Sequence, residues 1–231
     1  MNIAIIPARG NSIRIKRKNT KIFCGKPIIK YSIDAAKKTK LFDMILVSTD
    51  NNRITKVSKK YGATVPFKRP KKLSDDSTGI IEVVAHSIKR LRKKNIFPNY
   101  ICCIFATAPL IQYKKIIEGL KILKKNKTDF LISATNYSAN IHRSFIIPDK
   151  KKGIKLVFKK KFYSKKSDEK KIFHDAGQFY WAKAQTWVSK KKMFTSKSSI
   201  IKLKRKHVQD INTIEDWQFA KLLFHKAAMK F

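Results

Sequence analysis

Three features of this 231-residue chain predict an α/β fold of three layers, with a mostly parallel sheet between helices on both faces. Ile3 to Ile6, "MILVSTD" (44–50), "YICCIFATAPLI" (100–111) and "FLISATNY" (130–137) are continuous apolar runs without the alternation of a half-buried strand, so they read as strands covered on both sides. Amphipathic helical segments separate these runs, which is the rhythm of a parallel sheet. The length suits one domain spanning 1–231, and neither an internal repeat nor a linker-like tract divides it.

Taken in order, the first strand runs into the basic loop Arg9–Asn19, and Pro27 is well placed at the first turn of a helix with apolar Ile28, Tyr31, Ile33, Ala35 and Ala36. The second strand ends at Ser48, Thr49 and Asp50, and Asp50 is expected to cap the helix that runs toward Tyr61-Gly62. "SDDSTGIIEVVAHSIKRLRKK" starts with capping residues and becomes helical, with Ile80, Val83, Val84, Ile88 and Leu91 on one face. The third strand enters a Thr-Ala-Pro turn, "YKKIIEGLKILKKN" is a helix, and the fourth strand follows it. From His142 to Lys171 the rhythm changes, and two extended stretches near Phe145 and Val157 predict a projecting arm or hairpin. "AGQFYWAKAQTWV" reads as a strand with a small helix, and "HVQDINTIEDWQFAKLLFHKAA" as a strand, a capped turn at Asp210 to Thr213, and a terminal helix.

The net charge of +39 comes from 54 basic residues against 15 acidic ones, and only nine of the basic residues are arginine. Such a charge raises the prospect of a polyanion-binding protein. The lysines are nonetheless spread through polar slots along the whole chain, beside abundant Ile and Asn, as an AT-rich coding sequence would produce. No basic stripe carries regularly spaced aromatics for stacking, so no specific nucleic-acid partner is expected. Cys24, Cys102 and Cys103 lack CxxC spacing and suit reduced thiols in the cytoplasm. The five histidines show no metal-binding spacing; His86 reads as a helix residue and His174 stays open. The longest apolar run is too short for a bilayer and contains Pro109, so no membrane association is expected.

Ligands of open parallel sheets bind at the carboxyl ends of the strands. The loops to search are therefore Arg9–Asn19, Ser48–Asp50, Ala106–Gln112, Thr135–His142 and Asp210–Asn212. The first offers backbone N–H groups around Gly10 to Ser12 together with several cations, which suits a polyphosphate, although it lacks the spacing of a Walker loop.

The ordered blocks "PARGNSIRIKRKN", "CGKPIIKYSI", "VSTD", "VPFKRPKKLSDDSTG", "ATAPLIQ", "HDAGQFYW" and "QDINTIEDW" resemble the cytidylyltransferases that activate nine-carbon acidic sugars, the CMP-sialic acid synthetase group. The resemblance extends from Asn2 to about Ala228, and "DAGQFYW" is most similar to the branch acting on pseudaminic acid. It implies a single Rossmann-like nucleotidyltransferase domain that transfers CMP from CTP to the anomeric hydroxyl of the sugar, releases pyrophosphate and uses Mg²⁺. The chemistry asks mainly for positioning and charge neutralisation. Family members typically pair as homodimers through an arm, which implies that role for 142–171.

Residue by residue, the resemblance places Arg9, Gly10 and Ser12 in the triphosphate loop, with Lys18 and Asn19 at its end. Arg69 and Asp75 flank the nucleotide, Thr107 and Gln112 face nucleotide and sugar, and Asp175 and Gln178 match the sugar motif. Arg9 and Asp210 carry the implied catalytic roles, Asp210 as first carboxylate of a metal pair. Local structure offers competing roles: Asp210 and Thr213 suit capping of the last helix, Asp75 that of the helix before Ile80, and Asp175 a tight turn.

Three departures fall where that chemistry lies. Asn11 replaces a glycine of the loop, Ile13 replaces its lysine, and Asn212 replaces the second carboxylate of the metal pair. Asn212 still has a carbonyl oxygen for Mg²⁺, and one carboxylate with substrate phosphates is an ordinary Mg²⁺ arrangement. Arg14, Lys16 and Arg17 are candidate substitutes for the lost cation. A catalytically weakened nucleotide- or sugar-binding homologue is therefore the alternative to a working transferase.

Overall fold

The computed structural model describes residues 1–148, 153–163 and 172–228. β1 (Asn2–Pro7) leads through the basic loop to a small hairpin of β2 (Ile22–Phe23) and β3 (Lys26–Pro27). There follow α1 (Ile28–Thr39), β4 (Met44–Ser48), α2 (Asn52–Lys60), α3 (Ile80–Arg92), β5 (Tyr100–Ile104), α4 (Tyr113–Asn126) and β6 (Phe130–Asn136). The last third contains β7 (Phe145–Ile146), β8 (Lys155–Leu156), the one-turn α5 (Lys159–Phe162), β9 (Phe173–Lys183), α6 (Ala184–Val188), β10 (Ser198–Lys202) and α7 (Ile214–Ala228).

Six strands form one sheet in the order β10-β6-β9-β5-β1-β4. Every described pairing in it is parallel except those of β9, which runs antiparallel to both β5 and β6. The chain leaves the sheet after β6, makes its excursion at that same end, and re-enters from there, so β9 runs in reverse.

Alternate residues along each strand feed opposite cores, because successive side chains point to opposite faces. Ala4, Ile6, Cys102 and Ile104 pack with Ile29 and Ile33 of α1 and Ile116 and Leu120 of α4. Ile3, Ile5, Ile101 and Cys103 pack with Val84 and Ile88 of α3 and Trp187 of α6. Each fully buried Ile, Leu or Phe in these layers contributes roughly 1.5–3 kcal/mol of transfer free energy. Cys102 and Cys103 are free thiols, one in each core, and burial raises the pKa of both. A third cluster joins Ile15, Phe23 and Ile28 to Ile211, Trp217 and Ala220, so the loop after β1 is anchored to α7.

Three expectations need correction. Asn51, not Asp50, caps α2; its side-chain oxygen accepts from the backbone N–H groups of Arg53 at 2.9 Å and Ile54 at 3.2 Å. The expected strand before Asp210 is absent among the described residues. The edge strand is instead β10, whose "SSIIK" pairs with β6, while Val208 and Gln209 are irregular. An edge strand buries only part of its surface, so its mixed polarity conceals it in the sequence. α3 begins at Ile80 with Gly79 at its N-cap, so Asp75 does not cap it.

Within the expected arm, Phe145 pairs with Leu156 and Ile146 with Lys155 in a two-stranded hairpin separate from the main sheet. Residues 149–152 and 164–171 of that segment lie outside the described residues. No described helix is long and apolar enough to cross a membrane.

Candidate active site

Ile15 alone dips into the third core from the loop after β1, and the polar residues on either side of it are left at the surface. Gly10 donates its N–H to Asp50 Oδ1 at 2.8 Å, and a Cβ there would lie 2.7 Å from Asn51 Nδ2, so the close approach requires glycine. Asn11 is not among the residues with positive φ, so the glycine it replaces is not needed for a left-handed turn. The loop is closed from below by Asn19, which is buried and donates to Arg9 O at 2.8 Å. Lys18 fastens it to the C-terminal turn by donating to Ile211 O at 2.7 Å. Burial lowers the Lys18 pKa, partly offset by the attraction of Asp210.

A cavity of about 320 Å³ opens above this loop. Arg9, Ser12, Arg14, Lys18, Arg69 and Thr107 all line it. Ile13, 72% exposed, lines it as well without offering charge, while the neighbouring Arg14 supplies a guanidinium. Arg69 is buried, donates from Nε to Ser74 Oγ at 3.1 Å, and has Nη2 3.9 Å from Asp50 Oδ1 with no hydrogen-bond partner. Burial lowers its pKa, and the Asp50 carboxylate partly restores it. A buried guanidinium nitrogen without an acceptor is costly in isolation and well suited to an anionic ligand.

Arg9 lines the same cavity and is held by the loop before α3. It donates to Asp75 O at 2.8 Å and forms an ion pair with Asp76. Asp75 organises its own loop, accepting from the N–H and hydroxyl groups of Ser77 and Thr78 at 2.6–3.1 Å. The hydroxyl and N–H of Thr78 hold the Asp75 carboxyl below its usual range.

The C-terminal turn is a capping box. Thr213 Oγ1 accepts from Asp216 N at 3.1 Å, and Asp216 Oδ2 accepts from Asn212 N at 2.9 Å and Thr213 N at 2.8 Å. Thr213 and Asp216 therefore cap α7, and Asp210 is left for other work. Asp210 Oδ2 accepts from Asn212 Nδ2 at 2.6 Å, and Asn212 Oδ1 accepts from Arg14 Nη2 at 2.9 Å. Its Oδ1 carries no described hydrogen bond. Gly177 faces this carboxylate at φ +60, and a Cβ there would lie 3.5 Å from Asp210.

A second cavity, of about 510 Å³, lies on the other side of the turn and is lined by Asp210, Asn136, His174, Arg205, Lys206 and Phe219, among others. Asn212 lines the first cavity and Asp210 the second, so the turn 210–212 borders both.

The sequence from residue 3 to residue 226 matches the family model described as Cytidylyltransferase. The chain belongs to the cytidylyltransferase family. It is 39% identical over 223 residues to the pseudaminic acid cytidylyltransferase of Campylobacter jejuni subsp. jejuni serotype O:2, covering 96% of each chain. A CMP-N,N'-diacetyllegionaminic acid synthase of Legionella pneumophila is 33% identical over 122 residues, 53% of each chain. Among solved structures, CMP:2-keto-3-deoxy-manno-octonic acid synthetase complexed with CTP superposes with TM-score 0.72 at 11% identity, covering 98% of this chain and 99% of that one. The 4-diphosphocytidyl-2C-methyl-D-erythritol synthase of Anaerococcus prevotii gives TM-score 0.62 at 14% identity, covering 97% and 98%. These two likenesses concern the fold.

In this cytidylyltransferase the residues expected at the nucleotide converge: Arg9, Ser12, Lys18, Asn19, Arg69, Asp75 and Thr107 share the first cavity, while Gly10 supports it through Asp50. The residues expected at the sugar are placed differently. Gln178 is buried and donates to His207 O at 2.5 Å. Asp175 accepts from Gly177 N at 2.9 Å and from the Tyr180 hydroxyl, whose pKa burial and that carboxylate drive upward. Gln112 is the N-cap residue of α4, and its backbone oxygen accepts from Lys115 N at 2.9 Å. The sequence gives no role to Asp76, Arg205 and Lys206, and to Asp50 only that of a helix cap. Arg205 and Lys206 sit in "KLKRKH", where basic residues stand out from nothing around them.

No three His, Cys, Asp or Glu converge on a metal site among the described residues. Asp210, whose Oδ1 carries no described hydrogen bond at the turn bordering both cavities, fits an ion whose other ligands are phosphate oxygens and water.

Proposed function

We propose that this cytidylyltransferase transfers CMP from CTP to the anomeric hydroxyl of a nine-carbon acidic sugar, with pseudaminic acid the first candidate. The observation that carries the reading is a pair of adjacent cavities bordered by one turn, the first ringed by Arg9, Arg14, Lys18 and Arg69. A triphosphate in the first cavity would meet four cations and the hydroxyls of Ser12 and Thr107. Arg69, which lines it with a buried and incompletely paired guanidinium, would gain an anionic partner there.

The second cavity suits an acidic sugar. Arg205 and Lys206 offer charge to its carboxylate, Asn136, Ser138 and Gln209 offer partners for hydroxyl and amide groups, and Phe219 and Leu223 offer apolar contact for acetamido methyls. The identity over nearly the whole length to a pseudaminic acid cytidylyltransferase supports that sugar over its relatives. The anomeric oxygen attacks the α-phosphorus and gives up its proton to solvent as the new P–O bond forms, and the bond to the β-phosphate breaks with pyrophosphate leaving. Holding two substrates on either side of one turn reduces the entropic cost of their encounter. Arg9 and Lys18 neutralise charge on the leaving group.

Mg²⁺ held by Asp210 and the phosphates would polarise the α-phosphate and screen its charge. We further propose a homodimer formed through the excursion 142–171, where Phe145, Ile146 and Val157 of the β7–β8 hairpin are exposed, and a cytoplasmic location, where CTP is available.

Pyrophosphate release measured with CTP, Mg²⁺ and a panel of pseudaminic acid, N-acetylneuraminic acid and Kdo tests the reading. Release is expected to be fastest with pseudaminic acid. Folded protein that releases none with any of the three would overturn the transferase reading in favour of a binding homologue.

A further inference from the structure

The turn between the cavities holds a side chain whose polar groups are both committed. Asn212 Oδ1 accepts from Arg14 Nη2 at 2.9 Å, and Asn212 Nδ2 donates to Asp210 Oδ2 at 2.6 Å. The partners dictate which way the amide faces, since a guanidinium only donates and a carboxylate only accepts. The backbone of Asn212 is fastened as well, with its N–H donating to Asp216 Oδ2 at 2.9 Å. A carboxylate at this position would have no proton to offer Asp210 and would set two negative charges at hydrogen-bonding distance. A side chain lacking the carbonyl would release Arg14.

Arg14 is the partner this arrangement serves. It lines the polyphosphate cavity beside Ile13, which offers no charge there. Asn212 reaches the same cavity and Asp210 the neighbouring one, so the chain of contacts runs from the polyphosphate cavity to the border with the second.

We propose that Asn212 is a positioning residue for Arg14 rather than a metal ligand. It holds the guanidinium at the mouth of the polyphosphate cavity, where Arg14 neutralises charge on the departing pyrophosphate. Asp210 is then the one protein carboxylate available to an ion at this turn. The inference rests on the CTP reading above and adds that the neutral amide and the arginine act as a pair.

The test is a double-mutant cycle on the full chain with Asn212→Ala, Arg14→Gln and both together, with Asn212→Ser as a second, milder truncation. Pyrophosphate affinity is measured by calorimetry in EDTA, and the half-saturating Mg²⁺ concentration by turnover. Loss of a hydrogen bond that orients a charged group is expected to weaken metal-free pyrophosphate binding about five- to tenfold in Asn212→Ala when Arg14 is present. In the Arg14→Gln background the same change is expected to have less than about a twofold effect, because coupled residues are non-additive. Half-saturating Mg²⁺ is expected to stay within about twofold of wild type, since no ligand is lost. The proposal is overturned if Asn212→Ala leaves metal-free binding intact while raising the Mg²⁺ requirement, or if the two substitutions simply multiply. Wild type that fails to bind CTP even with Mg²⁺ overturns the functional reading itself. Wild type that binds CTP while the variants match it overturns this inference alone.

Discussion

Replacing Arg69 with methionine separates ligand binding from stability. Its Nη2 lies 3.9 Å from Asp50 Oδ1, which in an effective dielectric near 20 is a gross attraction of about 4 kcal/mol. Burying a guanidinium costs several kcal/mol, so the pair is close to neutral for folding. Asp50 would not be stranded by the change, because its carboxylate is 22% exposed and still accepts from Gly10 N–H at 2.8 Å. Methionine fills similar space without a charge to desolvate, and the expected loss of stability is below about 1.5 kcal/mol, or roughly 3–6 °C in Tm. Arg69 lines the cavity proposed for the polyphosphate, and one or two charge-assisted hydrogen bonds from its guanidinium there would be worth about 1.5–3 kcal/mol. CTP affinity is therefore expected to fall about 10- to 150-fold. Calorimetric titration with CTP and a thermal melt of Arg69→Met measure the two quantities. A CTP affinity within about threefold of wild type, or a variant that fails to fold, would refute the assignment and make Arg69 structural.

The other predictions concern contacts at the rim and at the cap. Asp76 holds Arg9 through a solvent-exposed ion pair, so Asp76→Asn is expected to raise CTP affinity about two- to fivefold at low salt, with the gain shrinking as salt is added; equal affinities at all ionic strengths would exclude this competition. Burial pushes the Asp216 carboxyl up, but hydrogen bonds from Asn212 and Thr213 and the charge of Arg14 outweigh it and leave the pKa depressed. A depressed carboxyl stabilises the fold above its unfolded pKa, and the contribution is lost as pH falls through the folded one. Asp216→Asn is accordingly expected to cost about 1 kcal/mol at pH 7, and the difference from wild type should vanish in acid below the ordinary carboxylate range, as read by chemical denaturation across pH.

The layers of the fold were legible because burial on both faces leaves an unbroken apolar run, and Ile3 to Ile6 and Tyr100 to Ile104 announce themselves without any partner being known. β10 was not, because an edge strand can remain half polar, and its "SSIIK" resembles a loop until β6 is beside it. The side of the site proposed for the nucleotide was legible in part for a related reason. The loop after β1 stands out as a cluster of cations following a buried strand, while Arg9, Ser12 and Lys18 were named individually from the resemblance to the family. The second cavity, proposed for the sugar, is assembled from β6, β9, the segment before Asp210, and α7, which are distant in sequence. There the matched motif residue Gln178 proved to be buried against His207 O, while Arg205 and Lys206 were hidden among other lysines.

By itself the sequence determined the α/β class and the loop that carries phosphate-seeking groups, since periodicity and local spacing are properties of the chain, and its resemblance to the family marked the three departures Asn11, Ile13 and Asn212. Only the tertiary structure decided what those departures mean. Asn11 stands where no left-handed backbone is required, and Ile13 stands beside an arginine that reaches the same cavity. Asn212, 198 residues beyond Arg14, accepts that arginine's hydrogen bond with the oxygen expected to face a metal. A hydrogen bond depends on positions in space, and these two residues meet only because Ile15 and Ile211 are buried in one core between the loop and α7.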